Sequence, residues 1–314
     1  MGKIVGQGDY KYRVDLEWGT QDPSVTPVDN CHEMVMDAQG RILMTTTTAK
    51  NNVLIYDRSG KILDTWEVGL PGAHGLTIVG EGKDQILFIT DPDTHKVKKT
   101  TLDGRVLMTF KCPKEFNGYD KEEMFKPTET AVAPNGDIYI ADGYGENYII
   151  QYDSKGNYIR HFGGKGDGAD EFDCCHGVTL DTRDASNPTL LITSRSKQEF
   201  KRFTLAGKHL ETISLPGCWI CRPVIDGKNI FFAVIVTKSW DAYDGMIAVL
   251  DENNRVISFP GGEAPEYVDG VLKDGTYDGS TFMNPHDVCL DNDGNLYVPQ
   301  WNSGRTYPVK LHRT

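Results

Sequence analysis

Apolar and polar positions fall into short strands separated by tight turns, and one four-strand unit recurs almost from end to end. Each unit opens with a short alternating strand, turns at an Asp or Asn followed by Gly, and continues as an apolar strand. A loop, a third strand, a second Gly turn and a fourth strand complete it. The clearest copies run from Asn30 to Trp66 and from Pro127 to Phe162. Gly72 to Phe110 and Cys174 to Ile213 follow the same course, and Cys221 to Phe259 is a more divergent copy. A sixth copy starts at Asn284 and stops one strand short. Period-two alternation bounded by turn residues is the signature of strands.

Repeats of about 40–50 residues with four strands each predict a β-propeller. The missing strand of the last unit is supplied by Tyr12 to Trp18, at the other end of the chain. Such closure removes the exposed sheet edges that an open array would leave. The expectation is an all-β, six-bladed β-propeller with four-stranded blades, a single domain over residues 1–314. Two stacked β-sandwiches are the alternative, and the repeat length weighs against them. The turn pattern resembles NHL repeats.

Charge and composition narrow the partners. With hydrophobic residues at 39% and charged residues at 25%, the chain can bury a sizeable core. A net charge of −12, with no run of Lys and Arg, argues against nucleic acid or an anionic membrane as a partner. No segment is apolar enough to span a bilayer. Seven cysteines and an N-terminus without an apolar leader lead to the expectation of free thiols in a cytoplasmic setting.

When the six units are aligned on their first strand, one phase holds His32, His74, Glu129, His176, Arg222 and His286. Four of the eight histidines thus share one repeat position. First strands line the channel of a propeller, so these imidazoles would converge on the axis with Glu129 nearby as a substrate contact or further ligand. Neutral imidazole suits zinc, copper, iron or nickel, and three histidines with an open position form a catalytic zinc arrangement. Arg222 would either bind a substrate carboxylate or pair with Glu129 across the channel. His95 is in phase with Tyr144 and Arg195, which places it at the pocket mouth, with a surface position as the alternative.

The segments Gly72-Ala-His-Gly-Leu, Asp142-Gly-Tyr-Gly-Glu-Asn, Cys175-His-Gly-Val and Asn284-Pro-His-Asp-Val resemble the peptidyl-α-hydroxyglycine α-amidating lyase family. The resemblance covers nearly the whole chain and is weakest in the first and fifth units. It implies a catalytic zinc held by His74, His176 and His286, with His32 as an additional ligand candidate. It also implies that Tyr144 is the catalytic tyrosine and Arg195 a substrate-pocket arginine. A structural calcium is implied at Asp287, with the Leu76 carbonyl as companion. The chemistry implied is Lewis-acid elimination on a small hydroxylated substrate, with Tyr144, its pKa lowered by Arg195 and the metal, taking or relaying the hydroxyl proton.

Three features depart from that pattern or lie outside it. No second pocket arginine is recognisable near Asp29 to His32, and a hydroxy acid or oxidised sugar derivative fits as well as a peptide. Cys218-Trp-Ile-Cys221 has CxxC spacing without a redox context and reads as blade packing, while Cys174 and Cys175 are placed to approach the channel. The acidic, Gly-rich stretch 261–280 reads as a surface loop, with a lid over the channel as the sharper alternative. A calcium-dependent lactonase and a non-enzymatic NHL scaffold remain alternatives, because the same propeller serves all three.

Overall fold

The computed structural model describes residues 2–279, 281–302 and 307–314. Six antiparallel sheets follow one another along the chain, each with its first strand innermost. In blade 1 the strands are Cys31–Met36, Ile42–Thr46, Val53–Tyr56 and Ile62–Trp66, paired in sequence order. Blades 2, 3 and 4 repeat that meander from inner strands Leu76–Val79, Glu129–Val132 and Val178–Asp181. The inner strands of blades 1 to 5 touch in succession, and the inner strand of blade 6, Cys289–Leu290, returns to that of blade 1.

The hairpins repeat one local device. Asp153 Oδ1 accepts hydrogen bonds from the Lys155 and Asn157 amides at 2.9 and 2.8 Å, and Gly156 takes a φ of 87° that side chains resist. The same Asp-to-Gly turn returns at Asp57 to Gly60 and Asp291 to Gly294.

Burial explains the hydrophobic pattern. Six apolar clusters lie one between each pair of neighbouring blades. A central strand therefore faces a core on both sides, and Thr189–Ser194 and Ile42–Thr46 are buried at every position. Fourth strands such as Tyr158–Gly163 lie at the rim and keep exposed positions.

Ring closure follows the expected route. Tyr12–Asp15 pairs with Val309–Arg313 and completes blade 6, and the short strand Ile4–Val5 adds a fifth member outside it. The inner strand of blade 5 is split into Trp219–Ile220 and Val224–Asp226, both paired to Asn229–Val236. The gap holds Cys221, Arg222 and Pro223, and proline has no amide hydrogen to give a ladder. Stretch 261–280 carries a small hairpin, Tyr267–Val268 with Val271–Leu272, packed on the core between blades 4 and 5. Its described residues do not line the histidine cavity, so it is surface structure and not a lid. Among the described residues no helix is long and apolar enough to cross a membrane.

Candidate metal centre and active site

The inner strands bring His32, His74, His176 and His286 together at one end of the channel, all buried. Their ring centroids stand 4.6–4.9 Å apart in the five pairs that make ring contact. His74 Nε2 lies 3.1 Å from His176 Nε2. Two nitrogens bound to one tetrahedral zinc at about 2.0–2.1 Å stand roughly 3.3 Å apart, so this pair is already at ligand spacing. The ligand nitrogens of His32, His74 and His286 lie within 4.8 Å of one another.

Outer contacts fix the tautomers. His74 Nδ1 donates to the Thr128 carbonyl at 2.9 Å and His286 Nδ1 to the His32 carbonyl at 3.0 Å. Each ring thus presents a bare Nε2 to its neighbours, the arrangement seen where a second hydrogen bond orients a metal-ligating imidazole. His32 Nδ1 and His176 Nδ1 are buried with no hydrogen-bond partner. Burial and the nearby Arg195 push His32 down to about 3, and burial drives His74, His176 and His286 well below the usual histidine range. Neutral, converging imidazoles with unpartnered nitrogens are a donor set that fits a divalent transition metal.

Tyr144 closes the histidine layer, its hydroxyl 3.2 Å from His74 Nε2. The ring is 41% exposed on the channel side, while its hydroxyl end is enclosed by the histidines and Arg195. Burial raises the phenol pKa and Arg195 only partly offsets it, so without a metal Tyr144 stays protonated. The loop that presents Tyr144 is built on Asp142, whose carboxylate accepts from Tyr119 Oη, the Lys126 amide and the Glu146 amide at 2.6–2.7 Å. Burial lifts Asp142 to about 7.

Arg195 is fully buried beside Tyr144. Its Nε donates to the Ile220 carbonyl at 3.0 Å and its Nη2 to Cys221 Sγ at 3.2 Å, and its guanidinium lies 5.9 Å from the Trp240 ring centre. Cys221 is the thiol that faces the histidines, with Sγ within 4.8 Å of ligand nitrogens on His176 and His286, while Cys174 lies beside Arg195 and Tyr144. CxxC spacing marked it, but only the break in the blade 5 inner strand turns it to the axis. Cys218 stays in the core between blades 4 and 5.

A cavity of about 430 Å³ opens over this layer, lined by His32, His74, Tyr144, Lys126, Trp240 and Trp301 among others. Trp219, Trp240 and Trp301 form a chain of edge-to-face rings with centroids 5.2 and 6.1 Å apart. A second cavity of about 620 Å³, at the opposite mouth, is lined mainly by aliphatic and threonine side chains.

Three expected substrate contacts fall elsewhere. His95 Nδ1 donates to the Phe125 carbonyl at 2.9 Å, and His95 does not line the histidine cavity. Arg222 and Glu129 turn away from the histidines into a second layer, one residue further along the inner strands. There Arg222 binds both oxygens of Asp287 at 2.8 and 2.9 Å, the Leu76 and Met34 carbonyls at 2.8 and 3.0 Å, and Glu129 at 3.4 Å. Of its two expected roles, the structure supports pairing across the channel.

Glu33, not singled out from the sequence, joins Arg222 at 3.1 Å. It reaches the axis because one extra residue is inserted between Cys31 and Met34, a bulge that turns both His32 and Glu33 inward. Burial first, then Glu129, pushes Glu33 well above the carboxylate range against the pull of Arg222. The Asp287 and Leu76 oxygens assigned to calcium by resemblance are therefore held by a guanidinium. The donor set does not fit an added calcium ion.

Fold and site together define a six-bladed propeller with a histidine-ringed channel. A 6-bladed beta-propeller family model matches residues 125–261. A probable peptidyl-α-hydroxyglycine α-amidating lyase of Caenorhabditis elegans is 35% identical over 108 residues, 34% of this chain and 30% of that protein. Peptidyl-α-hydroxyglycine α-amidating lyase 1 of Drosophila melanogaster is 24% identical over 96% of this chain and 53% of its own length. The chain thus spans 30% and 53% of the lengths of these two relatives. Among solved structures, a gluconolactonase from Xanthomonas campestris superposes with a TM-score of 0.65 at 12% identity, covering 100% of this chain and 96% of that one. At that identity the likeness is one of fold.

Proposed function

We propose that the protein is a metal-dependent lyase that cleaves a small hydroxylated substrate, an N-acyl-α-hydroxyglycine or a related hydroxy acid derivative, at the histidine end of the channel. The observation that carries this reading is the convergence of four buried neutral imidazoles with Tyr144 Oη 3.2 Å from His74 Nε2. His74, His176 and His286 would hold the metal, zinc by the resemblance, with His32 and Cys221 at its flank. When bound, the metal supplies Lewis acidity that favours charge developing on a substrate oxygen.

The chain's residues supply the remaining steps. Tyr144 Oη, kept protonated by burial, relays the proton: it gives its own to the departing amide nitrogen and takes in return the one leaving the substrate hydroxyl. The O–H electron pair becomes the new C=O bond as the C–N bond breaks, giving an aldehyde and an amide with no redox change. Arg195, held by Ile220 and Cys221, stabilises negative charge on Tyr144 during the relay. Trp240 and Trp301 offer an apolar wall to the acyl group, and Lys126 sits at the mouth where it can pair with the substrate carboxylate.

A calcium-dependent lactonase would need an open oxygen cage, and Arg222 fills the one the channel contains. The test is glyoxylate release from an N-acyl-α-hydroxyglycine by metal-stripped and zinc-reloaded protein, with metal counted by plasma mass spectrometry. Turnover that appears with about one metal per chain supports the reading. Absence of any tightly held metal, or turnover unaffected by stripping, would overturn it.

A further inference from the structure

The layer beneath the histidines contains a ring of inward-facing oxygens that would ordinarily call for a metal ion. Asp287, Glu33 and Glu129 are fully buried carboxylates, and the Leu76 and Met34 carbonyls point to the same centre. Hard oxygen donors of this kind suit a cation such as calcium, which takes six to eight of them. We propose that the Arg222 guanidinium is the resident cation of this cage, taking the place of a divalent ion, so that the propeller closes without calcium.

The contacts support a structural role across the ring. From blade 5, Arg222 reaches Glu33 and Met34 of blade 1, Leu76 of blade 2, Glu129 of blade 3 and Asp287 of blade 6. Blade 4 admits it: a Cβ on Gly177 would lie 2.5 Å from Arg222 Cα, so only glycine lets the strand carrying Arg222 approach. One side chain thus joins five blades and packs on the sixth. The planar fork of guanidinium donors can serve several acceptors at fixed angles, as a spherical ion does with more ligands. A calcium ion added to this cage would sit against a positive charge and compete for oxygens that, Glu33 Oε1 aside, are already hydrogen-bonded. The inference concerns the cage alone and stands whether or not the histidine layer holds a metal.

The experiment compares thermal unfolding of metal-stripped protein with and without millimolar calcium. The wild-type midpoint is expected to be the same in both. Arg222→Ala leaves buried carboxylates without a counter-charge, and its midpoint should fall by roughly 5–10 °C in the stripped state. Calcium should restore several degrees of that loss, and Arg222→Ala combined with Asp287→Asn should not respond. Arg222→Lys, which keeps the charge, covers the case in which the alanine variant does not fold; its midpoint should fall and stay blind to calcium. A wild-type midpoint that rises with calcium would overturn the proposal. So would an Arg222→Ala protein as stable as wild type, one destabilised but indifferent to calcium, or a calcium-responsive Arg222→Lys.

Discussion

His32→Asn should remove a defined share of the acid sensitivity of the metal-stripped protein. In the folded state burial and Arg195 hold His32 at about 3, against 6.5 for an unperturbed histidine. The folded protein therefore refuses a proton that the unfolded chain accepts. The sign follows: His32 disfavours unfolding fully above pH 6.5 and loses that contribution progressively as pH falls from 6.5 toward 3. Between pH 7 and pH 5 the linkage relation gives a loss of about 2 kcal/mol for this one group.

Other buried groups pull in the opposite direction. Asp142, raised to about 7, and Glu33 bind protons more tightly when folded, so each adds stability as pH falls. The wild-type profile alone is therefore not diagnostic, and the readout is the gap between wild type and variant. Urea unfolding followed by tryptophan fluorescence at pH 7 and pH 5 measures it. Whatever the variant's cost at pH 7, the gap should shrink by about 2 kcal/mol at pH 5. A gap unchanged between the two pH values would mean that His32 is not held neutral by burial, and the argument for a preformed neutral donor set would fail with it.

Three further outcomes are expected. His176→Ala should lose tightly bound metal by elemental analysis while keeping the far-ultraviolet dichroism of the propeller. Tyr144→Phe should keep the metal and the KM but lower kcat by roughly 10²–10⁴-fold, the range for a proton-transfer group; full activity would remove Tyr144 from the mechanism. Trp240→Ala should raise the KM for substrates with an aromatic acyl group by roughly 2–10-fold relative to an acetyl group, as expected for loss of one aromatic contact.

The sequence by itself determined the propeller and the histidine layer, because both rest on local rules repeated six times. Alternation, Asp-to-Gly turns and continuous apolar central strands specify each blade independently. Residues at one phase of a closed repeat must meet at the axis, so the spacing of His32, His74, His176 and His286 groups them. The missing fourth strand of the last unit likewise pointed to Tyr12 to Trp18, of which Tyr12–Asp15 forms the strand. Only the tertiary structure decided which way the remaining ring residues face. Arg222 and Glu129 stand one residue past the positions level with the histidines, which Cys221 and Thr128 occupy, and their side chains fill the next layer, where opposite charges meet. A bulge places Glu33 there, and a split strand turns Cys221 toward His176 and His286. Side-chain direction at a bulge or strand break depends on what the neighbouring blades leave open, and that is information no single repeat contains.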